Sequence, residues 1–324
     1  LHPLRGVGVA DGGGGQAGVM EPASATATGA PRRSAAARAW KWLRENAIVI
    51  YAVFAVLYLL VPLIVIAAFS FNDPAGKFNF TWEGFTLEHW ENAFGIEELT
   101  DALVTSLELA ALSTVISTVL GTMIALALVR HEFFGRRAAN FLIVIPLATP
   151  EIVIGASLLS LFLLVLGQSF LGFKSLLIAH VMFSISFVVV VVRSRLIGFD
   201  RNLEEAARDL GANSLETFRL ITLPLMMPGI VGAAMLAFAL SIDDFVISNF
   251  NSGQTVTFPL YIFGASQRGI PVETYVIATI LFAVTVVAMI FTVWQQRRAE
   301  RMAAARPEQE IEATLALAPG QGRA

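Results

Sequence analysis

Six apolar stretches dominate this chain, at 47–70, 103–129, 141–166, 176–192, 229–248 and 275–294. Each is long enough to cross a bilayer core of roughly 30 Å at about 1.5 Å per residue. Inside a bilayer no water is present to hydrogen-bond loose backbone groups, so runs of this length can cross only as helices. The expected fold is an all-α integral membrane protein with six transmembrane helices. Composition agrees, because 56% hydrophobic and 15% charged residues leave too little polar surface to coat a soluble core of this size. The third stretch carries Pro146 and Pro150 and is expected to kink.

Lysine and arginine placement sets the expected orientation. Of the 22 basic residues, 19 fall in the two termini and in the segments after the second and fourth stretches. Lys77, Lys174 and Arg268 lie on the other side. Both termini are therefore expected in the cytoplasm. Residues 1–46 are rich in Gly, Ala, Ser, Thr and Pro and lack apolar periodicity, which predicts a disordered cytoplasmic tail. The chain opens on Leu1 with its first Met at position 20, leaving its start open between the two. Arg32, Arg33, Arg38, Lys41 and Arg44 precede the first stretch like the charged start of an uncleaved signal-anchor. An external loop is expected at 71–100, where Trp82, Phe85, Trp90 and Phe94 suit an interfacial aromatic belt on a short surface helix. Residues 295–324 start basic, become low in complexity, and are expected to be a disordered cytoplasmic tail.

The longest polar, helix-compatible segment, 202–228, lies between the fourth and fifth stretches, on the expected cytoplasmic side. Asn202 with Glu205, and Asn213 with Glu216, have capping-box spacing and predict two short helices. Gly211 would end the first through a left-handed residue, and the second would run to about Ile221 before Pro224 and Pro228. Leu203, Ala206, Ala207 and Leu210 fall on one face of the first helix, with Glu204, Glu205, Arg208 and Asp209 on the other. The segment reads as a helix–Gly–helix elbow.

Residue types narrow the chemistry. With 0 cysteines there is no disulfide frame, thiolate metal site or cysteine nucleophile. No P-loop pattern occurs, no nucleophile–base spacing or metal-ligand cluster appears, and the Gly12–Gly15 run has linker composition. The expected protein is no enzyme: catalytic residues, metal and cofactor are all read as none.

Residues 205–224 read Glu-Ala-Ala, three residues, Gly, nine residues, Ile, one residue, Leu-Pro. This resembles the EAA motif of permease subunits of binding-protein-dependent ABC importers, with Glu205, Ala206, Ala207, Gly211, Ile221, Leu223 and Pro224 at every defining position. The likeness covers 101–294 as the type-1 transmembrane domain, with the first span (47–70) and its external loop as a further match. Phe69-Ser70-Phe71-Asn72, Thr81-Trp82-Glu83-Gly84-Phe85-Thr86-Leu87, Pro150-Glu151-Ile152-Val153 and the run Ser241 to Ser248 are similar to the second permease of spermidine/putrescine importers. That family usually has Asp where Glu151 stands. The resemblance implies that the elbow is a coupling helix docking on a separate ATPase subunit present in two copies. It also implies a second permease, expected to be a different chain, an external solute-binding protein, and a place in the bacterial inner membrane.

Glu151, Asp243 and Asp244 are carboxylates within the apolar stretches. Such a group at the bilayer centre costs roughly 2.5–3.5 kcal/mol even on insertion scales, so it normally meets water or a partner. No Lys or Arg within a stretch could pair with them, and a cationic substrate would fill that vacancy. Adjacent helical residues point about 100° apart, so one of Asp243 and Asp244 is expected to face a shared path. His180 is expected to be a core residue bonded to a backbone carbonyl. The reading is an ATP-driven permease for polyamines. The same machine carrying ferric ion or thiamine, or a secondary transporter, are the alternatives, and dependence on ATP separates the last.

Overall fold

The structure, a computed structural model, describes residues 42–198 and 200–317, so the expected unstructured tail lies outside it up to residue 41. Among the described residues, those through Leu59 form one compact unit and those from Leu60 a second. All described regular elements are helical apart from one isolated antiparallel bridge, Asn72 with Phe85. Helix α1 (Ala47–Phe69) is apolar throughout and buries none of its residues.

After α1, a compact turn is organised by the fully buried Asn72. Its amide donates to Asn79 Oδ1 (2.6 Å) and to the Thr81 carbonyl (2.7 Å), and its Oδ1 accepts from Glu83 N (2.8 Å). Phe71 stacks between Phe85 and Trp90 at 5.6 and 5.0 Å. The expected short surface helix is present as α2 (Glu88–Glu91).

Three helices make the centre of the second unit: α3 (Glu97–Arg130), α6 (Phe173–Ile197) and α9 (Leu223–Ile242). Their shared core is Ala125, Leu128, Val188, Val189, Val192, Leu196, Met226, Ala233 and Ala237. Lipid is as apolar as leucine, so contact between such helices depends on close packing and on polar side chains, both favoured by small residues. Gly121 shows how tight the crossing is, since a Cβ there would come within 2.6 Å of Val188 Cγ1.

The third apolar stretch is broken, where the sequence predicts one kinked span. Helices α4 (Arg136–Ala148) and α5 (Glu151–Val165) meet at 111°. Pro150 has no N–H and forces the residue before it out of the helical region, so Thr149 turns extended at φ −89°, ψ 134°. Pro146 is absorbed within α4. By length and apolarity five helices can cross a membrane, and six if the bent pair counts as one span.

The fifth stretch also differs from expectation. Helix α9 stops at Ile242, Asp243 to Phe245 leave the helix, and α10 (Val246–Asn251) begins afresh. Helix α11 (Phe258–Ser266) packs on α3 through Phe258, Leu99 and Leu103. Helix α12 (Val272–Leu317) carries the last span to Gln295 and then continues, so the backbone of 295–317 is helical where the sequence suggests a disordered tail. Ala, Arg, Glu and Gln fill that extension, and these are strong helix formers even without apolar periodicity. Residues 318–324 lie outside the described residues.

Candidate functional site

The elbow consists of α7 (Asn202–Asp209), a turn at Gly211, and α8 (Ser214–Thr217). Gly211 has φ 92°, the left-handed conformation expected of it. Asn213 caps α8: its Oδ1 accepts from Leu215 N (3.0 Å) and Glu216 N (2.9 Å), while Glu216 accepts from Asn213 N (2.8 Å). This capping box forms as the spacing predicts. The other one does not. Asn202 makes no side-chain cap; instead Asp200 Oδ1 accepts from Asn202 N at 3.0 Å, and this carboxylate, two residues earlier, takes over the capping role.

The second arm does not end at Ile221. It passes through a π-turn (Phe218–Thr222) directly into α9. Pro224 cannot donate to the carbonyl one turn earlier, and the wider turn beneath it accommodates the missing bond without stopping the helix. Ile221, Leu223 and Pro224 thus lie at the seam between elbow and span.

The two adjacent glutamates of α7 have different surroundings, although both sit on the polar side of its sequence pattern. Glu205 is exposed. Glu204 is 8% exposed and turns inward, where its Oε1 accepts from Arg130 Nη2 (2.5 Å), at the end of α3, and from Thr222 Oγ1 (2.6 Å), in the π-turn. One oxygen therefore ties α7, α3 and the base of α9. Nothing local in the sequence marks this, since Arg130 lies 74 residues away. On the outer surface Ala206 is exposed, Ala207 half-buried, and Leu210 and Leu215 are 90% and 73% exposed. The elbow presents a small-residue, apolar surface with Glu205 beside it.

Glu151, Asp243 and Asp244 separate into two kinds. Glu151 opens α5 and Asp243 closes α9; both are exposed on this chain and lie within electrostatic reach of each other. Among the described residues no Lys or Arg forms an ion pair with either. Asp244 is different. It is buried and caps α10, accepting from Ile247 N (3.3 Å), Ser248 N (2.8 Å) and Ser248 Oγ (3.0 Å). The two aspartates are not consecutive residues of one helix, as the sequence reading assumes, but straddle a helix break.

Next to Asp244 lies a buried polar cluster. His180, 2% exposed on α6, has Nδ1 at 2.8 Å from Ser241 Oγ, and Nε2 at 3.0 Å from Ser248 Oγ and 3.4 Å from Asp244 Oδ2. Ser113 Oγ on α3 donates to Ser241 Oγ at 2.9 Å. His180 is indeed in the core, but its partners are side chains rather than the expected backbone carbonyl. The cluster binds α3, α6, α9 and α10 together at the break. Its signal in the sequence is an ionisable residue inside an apolar run.

Comparison with known proteins agrees with the helical membrane layout. The family described as binding-protein-dependent transport system inner membrane component matches residues 117–303. The spermidine/putrescine transport system permease protein PotC of Haemophilus influenzae is 37% identical over 236 residues, 72% of this chain and 90% of its own length. The putrescine transport system permease protein PotI of Escherichia coli K12 is 34% identical over 250 residues, 75% of this chain and 88% of its own. Among solved structures, a bacterial ABC transporter that imports the acidic polysaccharide alginate superimposes with a TM-score of 0.55 at 19% identity, covering 82% of this chain and 99% of that one, a likeness of fold. With the family match spanning more than half of its length and full-length relatives above thirty per cent identity, this chain belongs to the inner membrane components of binding-protein-dependent transport systems.

Proposed function

We propose that the chain is the permease subunit of an ATP-driven importer that carries polyamines such as putrescine and spermidine across the bacterial inner membrane. The observation that carries the substrate class is two exposed carboxylates, Glu151 and Asp243, set in apolar stretches and, among the described residues, paired to no basic side chain. A polyamine is an extended polycation with an aliphatic spine. It would neutralise such carboxylates in turn while its methylenes pass apolar walls, which spares the roughly 2.5–3.5 kcal/mol that each charge costs in hydrocarbon. The relatives named for spermidine and putrescine support the same cargo. Asp244 serves the path indirectly: its oxygens are engaged by α10 and its cluster, so it fixes the break that displays Asp243.

Energy enters through the elbow. Glu205, Ala206, Ala207 and Gly211 form the surface that docks on a separate ATPase subunit, and Ile221, Leu223 and Pro224 join it to α9. The small alanines permit close approach and Glu205 offers a carboxylate to a cation of the partner. Two ATPase copies, a second permease of different sequence and an external solute-binding protein complete the machine; this chain holds no ATPase site of its own. The excess of Lys and Arg on the elbow side supports a cytoplasmic elbow and cytoplasmic termini.

Uptake of labelled spermidine by a strain relying on this permease tests the reading. Glu151→Gln and Asp243→Asn are each expected to lower uptake about tenfold, as loss of one charge-assisted contact does, with the protein still in the membrane. Glu205→Lys is expected to leave ATP hydrolysis running without uptake. Unchanged uptake in both carboxylate variants would remove the polycation path and leave another solute of the same importer class.

A further inference from the structure

Three arginines from different segments converge on one concavity at the elbow-side ends of the helices. Arg136 opens α4, Arg193 lies in the penultimate turn of α6, and Arg201 precedes α7. They line a recess of about 280 Å³ whose other walls include Leu128, Leu196 and Ile197. Leu128 and Leu196 are buried and floor it, while Ile197 is 66% exposed at its lip.

Two of the guanidinium groups are held in place by neutral acceptors. Arg193 Nη1 donates to Asn140 Oδ1 at 2.6 Å, and Arg201 Nη2 to the Val129 carbonyl at 3.2 Å. Asn140 is itself oriented, its amide donating to the Arg136 carbonyl at 2.9 Å. Among the described residues the one carboxylate in an ion pair with any of the three is Glu132, 4.0 Å from Arg136 and almost wholly exposed. The arrangement contrasts with Arg130, a few residues away, whose charge is met by the buried Glu204. A general excess of arginine on one side of a membrane protein needs no concavity, no pre-oriented side chains and no apolar floor.

We infer that this recess is a binding site for the headgroup of an anionic phospholipid. A phosphodiester would accept from the guanidinium fork, which matches phosphate geometry, and the first acyl carbons would lie along Leu196 and Ile197. The site joins the ends of α3, α4 and α6 to the start of the elbow, so an occupied site fixes the root of the elbow against the bilayer surface. It does not depend on which solute is carried.

The test uses the full chain purified in mild detergent, with bound lipid counted by native mass spectrometry. Phosphatidylglycerol, phosphatidylethanolamine and inorganic phosphate are titrated in separate arms. The expected result is retention of phosphatidylglycerol over phosphatidylethanolamine, reduced about tenfold in Arg136→Gln/Arg193→Gln, as expected from losing one or more charge-assisted contacts. The control Arg137→Gln removes one charge one residue outside the recess, matched by the single recess variant Arg201→Gln, and is expected to stay within about twofold of the parent. Arg201→Gln, on an exposed residue outside the spans, gives a second reading should the double variant fold poorly, and is expected to lose binding in the same sense. Equal loss in Arg137→Gln, or none in the recess variants, would overturn the site as mere surface charge. Inorganic phosphate competing as well as the lipid would overturn the lipid assignment. Loss of the co-purifying ATPase subunit with lipid binding unchanged would hand the arginines to that partner instead.

Discussion

Glu204 offers the sharpest test of how the elbow is held. Its side chain is 11% exposed and that of Arg130 17%, so the pair is neither a surface bridge nor fully desolvated. Exposed pairs contribute about 0–1 kcal/mol, whereas removing one partner of a buried pair costs about 3–5 kcal/mol. The remaining exposure discounts the second figure, and the lost Thr222 hydrogen bond adds about 1 kcal/mol. Glu204→Ala is therefore expected to destabilise the chain by about 2–4 kcal/mol, while Glu205→Ala, one residue on and exposed, shifts stability by about 0.5 kcal/mol or less. The assay is equilibrium unfolding of the purified chain in mixed micelles, read on the parent, both single variants and a double-mutant cycle of Arg130→Gln with Glu204→Gln. The cycle is expected to give a coupling energy of about 1–3 kcal/mol. In transport assays the two glutamates should separate in the opposite way, with Glu205 variants stable but uncoupled. If Glu204→Ala and Glu205→Ala were equally stable, or the coupling fell below about 0.5 kcal/mol, the inward carboxylate would not be what anchors the elbow.

Other positions give independent readings. Gly211→Ala is expected to cost about 1–2 kcal/mol from backbone conformation alone, since φ is 92° and a Cβ there would meet nothing within 4 Å; circular dichroism melts of the variant and of the more strained Gly211→Val check this. His180→Ala leaves Ser241 and Ser248 short of a buried partner and is expected to destabilise by about 1–3 kcal/mol, with His180→Gln recovering part of the loss in the same unfolding assay. Because the sequence contains 0 cysteines, single cysteines report sidedness cleanly. Leu215→Cys should react with an impermeant maleimide only after the membrane is opened, and Gly76→Cys without opening it.

Much of the elbow is legible in the sequence because its determinants are local. Asn213 and Glu216 are three residues apart, and Gly211 needs only its own missing Cβ to take the left-handed turn. Where two neighbouring residues can both cap, local reasoning fails: Asp200 rather than Asn202 receives the first helix, and the pattern contains nothing to rank them. The apolar runs locate the membrane segments, yet apolarity carries no angle. The 111° turn between α4 and α5 and the break after Ile242 therefore stay hidden in stretches that look continuous. Long-range polar contacts are hidden for a further reason. Glu204 meets Arg130, and His180 meets Ser241 and Ser248, across 61 to 74 residues, and a helical wheel of α7 alone places Glu204 with its exposed neighbours. The charge at the site was readable; which carboxylate is bare and which is bound depends on the fold.

The π-turn at 218–222 also restricts how this gene can change. Elbow and span are one continuous helix through that turn, so every residue between Ser214 and Ile242 sets the angular position of those before it. Deleting a single codon in the α-helical part of this stretch would swing α8 by about 100° relative to the faces of α9, whereas a deletion within the π-turn would be absorbed by tightening it to ordinary α-helix. Substitutions in this stretch can be absorbed one at a time, but outside the π-turn its length cannot drift, and insertions or deletions among related sequences should be confined to that turn and to the loops on either side.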